Sequence, residues 1–205
     1  MLRVGEYTPT SSKSRKKRTI PLRKSDVRLF FSDGKAINPN ATSDILRQAK
    51  SCAICLENQK NGLKDQTLVH EASGDPLLCP AKAMVILLET LRGLPGHTPL
   101  GTYSYSNKRY RIKAHEIVQT IRYGASQDNL FAAGFDICRL GSHSLRSGGA
   151  VRLKAAGTDD GLIKKLGRWS SDTYARYIQP HIQQLHTGLS EAMSITLRFT
   201  NMAIR

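Results

Sequence analysis

The chain has no hydrophobic run long enough to cross a bilayer. Its longest apolar stretch, "AMVILL", covers only Ala83 to Leu88, against the roughly 20 residues that a spanning helix needs. The opening "MLRVGEYTPTSSKSRKKR" has no apolar segment of the kind that drives secretion, so a reducing compartment is expected. Cysteine is scarce, with 4 in 205 residues. Cys52 and Cys55 make one CxxC in "SCAICLEN", no second pair follows, and Cys79 and Cys138 stand alone. A structural zinc calls for two pairs or a Cys/His pattern, so the four read as small buried thiols. No paired-carboxylate or metal-ligand spacing stands out, His115 included, and there is no internal repeat or long low-complexity tract. Acid is the minority charge: 16 Asp and Glu stand against 31 Lys and Arg, for a net charge of +15. That excess draws polyanions, with nucleic acid first and anionic membrane second. No basic amphipathic helix supports the membrane reading.

What is present suits one folded domain: 205 residues, 40% of them apolar, are enough for a real core. After the opening comes a basic run with Lys13, Arg15, Lys16, Lys17, Arg18, Arg23 and Lys24. It reads as a solvated loop, a nuclear-import signal or a contact to a DNA backbone. "DVRLFF" alternates like a strand and ends in the turn "SDGK". "TSDILRQAK" predicts a short helix capped by Thr42 or Ser43. "SCAICLEN" and "QTLVHEA" predict two strands joined through Asn61-Gly62, a hairpin signal. About three strands are therefore expected, followed by helices. "CPAKAMVILLETLRG" starts with Pro80 and ends at Gly93. "KAHEIVQTIRYGASQ" groups Ile117, Val118 and Ile121 on one face. Further helices are predicted after Ser142, after a cap at Thr158, in "SSDTYARYIQ" and in "PHIQQLHTGLSEAMSI". The expected class is mainly α with a small antiparallel β-sheet near the N-terminus.

Breaking a phosphodiester without a metal needs cationic donors around the non-bridging oxygens, a nucleophile, and an acid for the leaving oxygen. The chain offers candidates in order: Arg3, Lys60 in "NQKNG", His143 and Arg146 in "HSLR", Trp169 in "GRW", and Tyr177 in "YARYI". His143 and Arg146 stand at i and i+3, on one face of a helix start. "YSYSNKRYRIK" mixes basic and aromatic residues, and its Lys108, Arg109 and Arg111 read equally as phosphate contacts or as a solvated loop before a helix. Arg168 reads as a DNA contact or a surface charge.

That order, Arg, hairpin Lys, His-x-x-Arg, His or Trp, then Tyr, resembles the catalytic domain of the tyrosine recombinases, or phage integrase family. The wording "LRVGEYT", "QKNG", "CPAKA", "HSLRSGGA" and "GRWSSDTYARYI" is similar to its eukaryotic mobile-element branch, of the Crypton and Ngaro type. The resemblance implies the DNA breaking-rejoining catalytic fold over residues 1–187, beginning late, with 188–205 as a tail helix that either docks on a neighbouring subunit or packs on its own core. It implies that Tyr177 attacks the scissile phosphate to form a 3′-phosphotyrosyl link, that Arg3 and Arg146 clamp the phosphate, and that His143 assists proton transfer. Trp169 then replaces the commoner histidine, and Lys60 protonates the leaving 5′ oxygen. Tyr177 lies eight residues after Trp169 and Tyr174 only five, so Tyr174 reads as a packing residue. No cofactor is implied. The implied partner is double-stranded DNA, bound by a homo-oligomer in a tetrameric synapse, with a nuclear location in a eukaryote. The family usually adds a separate N-terminal DNA-binding domain, and these 205 residues are not expected to include it. Two other readings therefore stay open: a DNA-binding remnant without turnover, and relaxation of DNA in the manner of a type IB topoisomerase.

Overall fold

In a computed structural model, the described residues are 2–9, 20–58, 64–128, 130–132, 134 and 136–178. The alternation in "VRLF" becomes strand β1, Val27–Phe30, with Val27 and Leu29 buried and Arg28 exposed. It pairs antiparallel with the two-residue β2, Ala36–Ile37, and with β3, Ser51–Asn58. β3 in turn pairs antiparallel with β4, Lys64–Glu71, so the sheet order is β2-β1-β3-β4. The sheet thus has four strands where about three were expected. The addition is the short edge strand after the "SDGK" turn, where Gly34 takes a left-handed φ of 80°. That conformation costs glycine little. Between β2 and β3 lies α1, Ser43–Leu46.

The helix α2, Pro80–Thr90, places Ala81, Val85 and Leu88 on one buried stripe and packs against β1, β3 and β4. Its spacing of four and three residues is that of a single helix face. Leu29, Ile54, Leu56, Val85 and Leu88 share one core with Leu22 and Leu91. Burying a leucine or isoleucine side chain of this kind contributes about 1.5–3 kcal/mol each.

The thiols need correction. Cys52 and Cys79 are buried, Cys55 is half-buried and Cys138 is exposed. Cys52 and Cys55 are three apart on β3, and successive strand residues alternate faces, so the CxxC does not form a chelating pair. Cys138 sits in a short 3-10 turn, Ile137–Arg139, rather than in a core-facing element.

The segment read as a loop before a helix is also different. It folds into a second, two-stranded sheet of β5, Thr102–Tyr105, and β6, Lys108–Arg111. Its turn residues Ser106 and Asn107 have φ values of 47° and 58°. Two consecutive left-handed residues make the turn whose twist suits a two-residue hairpin. Tyr103 and Tyr110 face each other across the ladder with ring centroids 5.6 Å apart. Helix α3, Ala114–Gln127, follows, and the Glu116 carboxylate accepts the Lys113 backbone N–H at 2.7 Å.

The remaining helices are α4, Ser142–Ala155, α5, Asp160–Gly167, and α6, Ala175–Ile178. The cap of α5 is Asp159, not Thr158: its carboxylate accepts the Leu162 backbone N–H at 3.1 Å. A carboxylate at that place also meets the positive end of the helix dipole. The described residues divide into two compact units, Leu2–His143 and a second that begins at Ser144. Mixed α and β structure with small antiparallel sheets is thus the observed class. Among the described residues no helix is long and apolar enough to cross a membrane.

Candidate functional site

In the first unit, Arg3 is held by its own local structure. Its backbone N–H donates to the Glu6 carboxylate at 2.7 Å, and its guanidinium lies 3.8 Å from the same group. Glu6 is only 1% exposed. Burial, and then the Glu6 charge, push the neighbouring Tyr7 phenol above its ordinary pKa. The segment is tied down on both sides. The Leu22 N–H donates to the Glu6 carbonyl at 2.6 Å, and Gly101 approaches the Tyr7 carbonyl so closely that a Cβ there would collide with it. His143 ends this unit near the start of α4 and is exposed. Lys60 lies outside the described residues, as do Lys13, Arg15, Lys16, Lys17, Arg18 and the tail.

Lys108, Arg109 and Arg111 are described, and all are exposed along β6. Tyr103, Tyr105 and Tyr110 are exposed on the same hairpin. Cations interleaved with aromatic faces on an exposed ribbon are suited to nucleic-acid backbones and bases. Arg23 and Lys24 do not fit a solvated basic run: Arg23 is half-buried and Lys24 is 4% exposed.

The second unit brings several of the candidates together. Arg146, on α4, is 6% exposed. Its guanidinium donates to the Gly167 carbonyl at the end of α5 and lies 4.3 Å from the centroid of the Trp169 ring. That is within range for a cation–π contact worth about 0.5–2 kcal/mol. Trp169 also meets Tyr174, with centroids 6.0 Å apart and planes tilted by 39°. Around this group, Ala150, Ile163, Tyr174 and Ile178 form a small core. The Lys164 ammonium donates to Asp172 at 2.8 Å and so ties α5 to the turn before α6.

Two features of this cluster are absent from the sequence reading. Gly167 has no room for a side chain, since a Cβ there would overlap the Trp169 ring; nothing in "LGRW" alone marks a ring lying over the glycine. Arg168 is not a surface charge, being 4% exposed. It caps α5 in the left-handed conformation, with φ of 55°, a backbone state more usual for glycine or asparagine.

Tyr174 is 8% exposed. Its phenol is pushed above the ordinary tyrosine range by burial first, then by the Asp160 and Asp172 charges. Tyr174 packs beside the Trp169 ring in this small core. Tyr177 lies one helical turn further on, in α6; its side chain lies outside the described residues. Among the described residues, no three or more His, Cys, Asp or Glu side chains gather as a metal site would require. Compared with protein-family models, curated proteins and solved structures, the chain has no significant match.

Proposed function

We propose that the chain is a DNA strand transferase of the tyrosine recombinase type, from a mobile element. The observation that carries this reading is the Arg146–Gly167–Trp169 cluster. It joins "HSLR" to "GRW", two motifs more than 20 positions apart in sequence, and α6 with Tyr177 begins six residues after Trp169. An arginine held at this depth by a carbonyl and a ring is a pre-oriented donor, which is what a charge-stabilising site requires.

In this reading the Tyr177 hydroxyl oxygen attacks the scissile phosphorus. The new P–O bond to Tyr177 forms as the bond to the 5′ oxygen breaks, and Lys60 delivers a proton to that oxygen. Arg146 and Arg3 stabilise the charge on the non-bridging oxygens. His143 takes up the proton that the Tyr177 phenol loses, and Trp169 orients Arg146. Attack by another 5′ hydroxyl on the phosphotyrosine reverses the step on a new strand, so bond energy is conserved and no cofactor is consumed. The partner is duplex DNA, consistent with the net charge of +15 and the exposed basic hairpin.

The test is a trapping assay on nicked duplexes bearing candidate element ends, scored on denaturing gels. Wild type and Tyr174→Phe are expected to give a covalent protein–DNA band that Tyr177→Phe lacks. Salt-sensitive DNA binding without any band would favour a remnant that binds without turnover. Plasmid relaxation without exchange between sites would favour the topoisomerase outcome.

A further inference from the structure

The first unit holds a cavity of about 690 Å³ that none of the proposed strand-transfer residues line. Its size falls within the roughly 300–1,000 Å³ of small-molecule clefts. Val27, Ile37, Pro39 and Leu94 give it apolar walls, and Lys24 and Arg28 are the cations in its lining. Lys24 is the unusual member, because it is only 4% exposed. Its ammonium donates to the Asn40 side-chain carbonyl and to the Leu94 backbone carbonyl, each at 3.1 Å. Both partners are neutral. An ammonium has three donors and no acceptor, so one N–H remains beyond these two. Among the described residues no carboxylate lies within 4.0 Å of Lys24 Nζ.

The surroundings hold this charge in place. The Lys24 backbone N–H donates to the Thr98 carbonyl at 2.8 Å, and that of Ser25 to Gly96 at 2.9 Å. The Asn40 backbone N–H is bound to the Asn38 side chain at 2.9 Å, which fixes the turn that carries the Asn40 acceptor. A buried cation with only neutral partners is unfavourable unless a counter-charge arrives. We propose that this cavity binds a small organic carboxylate. Its anionic end pairs with the Lys24 ammonium, and its apolar body lies against Val27, Ile37 and Leu94. A monoanion fits better than a phosphate. Phosphate sites gather several donors, commonly backbone N–H groups or arginine forks; here Lys24 is the one buried cation of the lining, Arg28 being exposed, and Val27, Ile37, Pro39 and Leu94 are apolar. The inference is independent of the strand-transfer reading.

Calorimetry and amide NMR on the full chain test it, with hexanoate and benzoate as probes, hexan-1-ol as the uncharged control and inorganic phosphate as competitor. Hexanoate or benzoate is expected to bind with shifts centred on Lys24, Asn40 and Gly96. Hexan-1-ol is expected to bind about tenfold more weakly or worse, since it lacks the charged hydrogen bond. Lys24→Met, folded by circular dichroism, is expected to lose carboxylate binding by a similar factor. If that variant does not fold, the comparison of acid with alcohol on wild type decides. Equal binding of acid and alcohol, phosphate competing as tightly as the carboxylates, shifts mapping elsewhere, or no binding of either acid would each overturn the proposal.

Discussion

Gly167 and Arg146 have the sharpest consequences of any single positions. A methyl group at 167 would occupy the space of the Trp169 ring, which contacts both the Arg146 guanidinium and Tyr174. Gly167→Ala should therefore cost about 1–3 kcal/mol through overpacking. Trp169 is the sole tryptophan, so its fluorescence in a urea melt reads this cluster directly; an unchanged midpoint would contradict the packing. Arg146→Lys keeps the charge but removes the planar group that stacks and donates at once. It is expected to leave the melt within about 1–2 kcal/mol of wild type while lowering any covalent trapping far more. In the other unit, burial and then the Cys79 charge push the Cys52 thiol up from 9.0 to about 11. The folded state keeps this proton to higher pH than the unfolded chain does. Its contribution to stability is complete below pH 9 and is lost as pH rises towards about 11. Urea midpoints at pH 8 and pH 10.5 should fall further apart in wild type than in Cys52→Ala.

Among the elements, the β5–β6 hairpin has the clearest test. All four residues of β6 are exposed and three of them are basic. If they bind phosphates, replacing Lys108, Arg109 and Arg111 by Gln should make the dependence of log K on log salt shallower by about 0.9 for each phosphate no longer neutralised. An unchanged slope would remove the hairpin from the interface. The same hairpin shows where sequence reading stops. Ser106-Asn107 is a weaker turn signal than Asn-Gly, and strands whose residues, Thr102 apart, are all exposed leave no alternation to read. β1 and α2 are legible because each has one buried face, whose period of two or of three and four residues is written in the sequence. The cap of α5 falls one residue later than the sequence suggests because Thr158 and Asp159 are both good caps, and only Asp159 reaches the Leu162 N–H. Within the site, motif order singles out Arg146 and Trp169. The stacking of one on the other, and the role of Gly167, depend on how α4 and α5 pack.

For the whole molecule, the excess of 31 basic over 16 acidic residues makes salt-dependent DNA binding the first expected property, but retention of DNA would not show chemistry. The direct measurement is the position of the covalent adduct. A nicked duplex trapped on the full chain would be digested with nuclease and trypsin, and the nucleotide-bearing peptide sequenced by mass spectrometry. Cleavage after Arg168 and Arg176 puts Tyr174 and Tyr177 on separate peptides. The expected result is a nucleotide remnant on the peptide that begins with Tyr177. A remnant on Trp169–Arg176, or none on any tyrosine from a duplex that the protein demonstrably binds, would contradict the strand-transfer account.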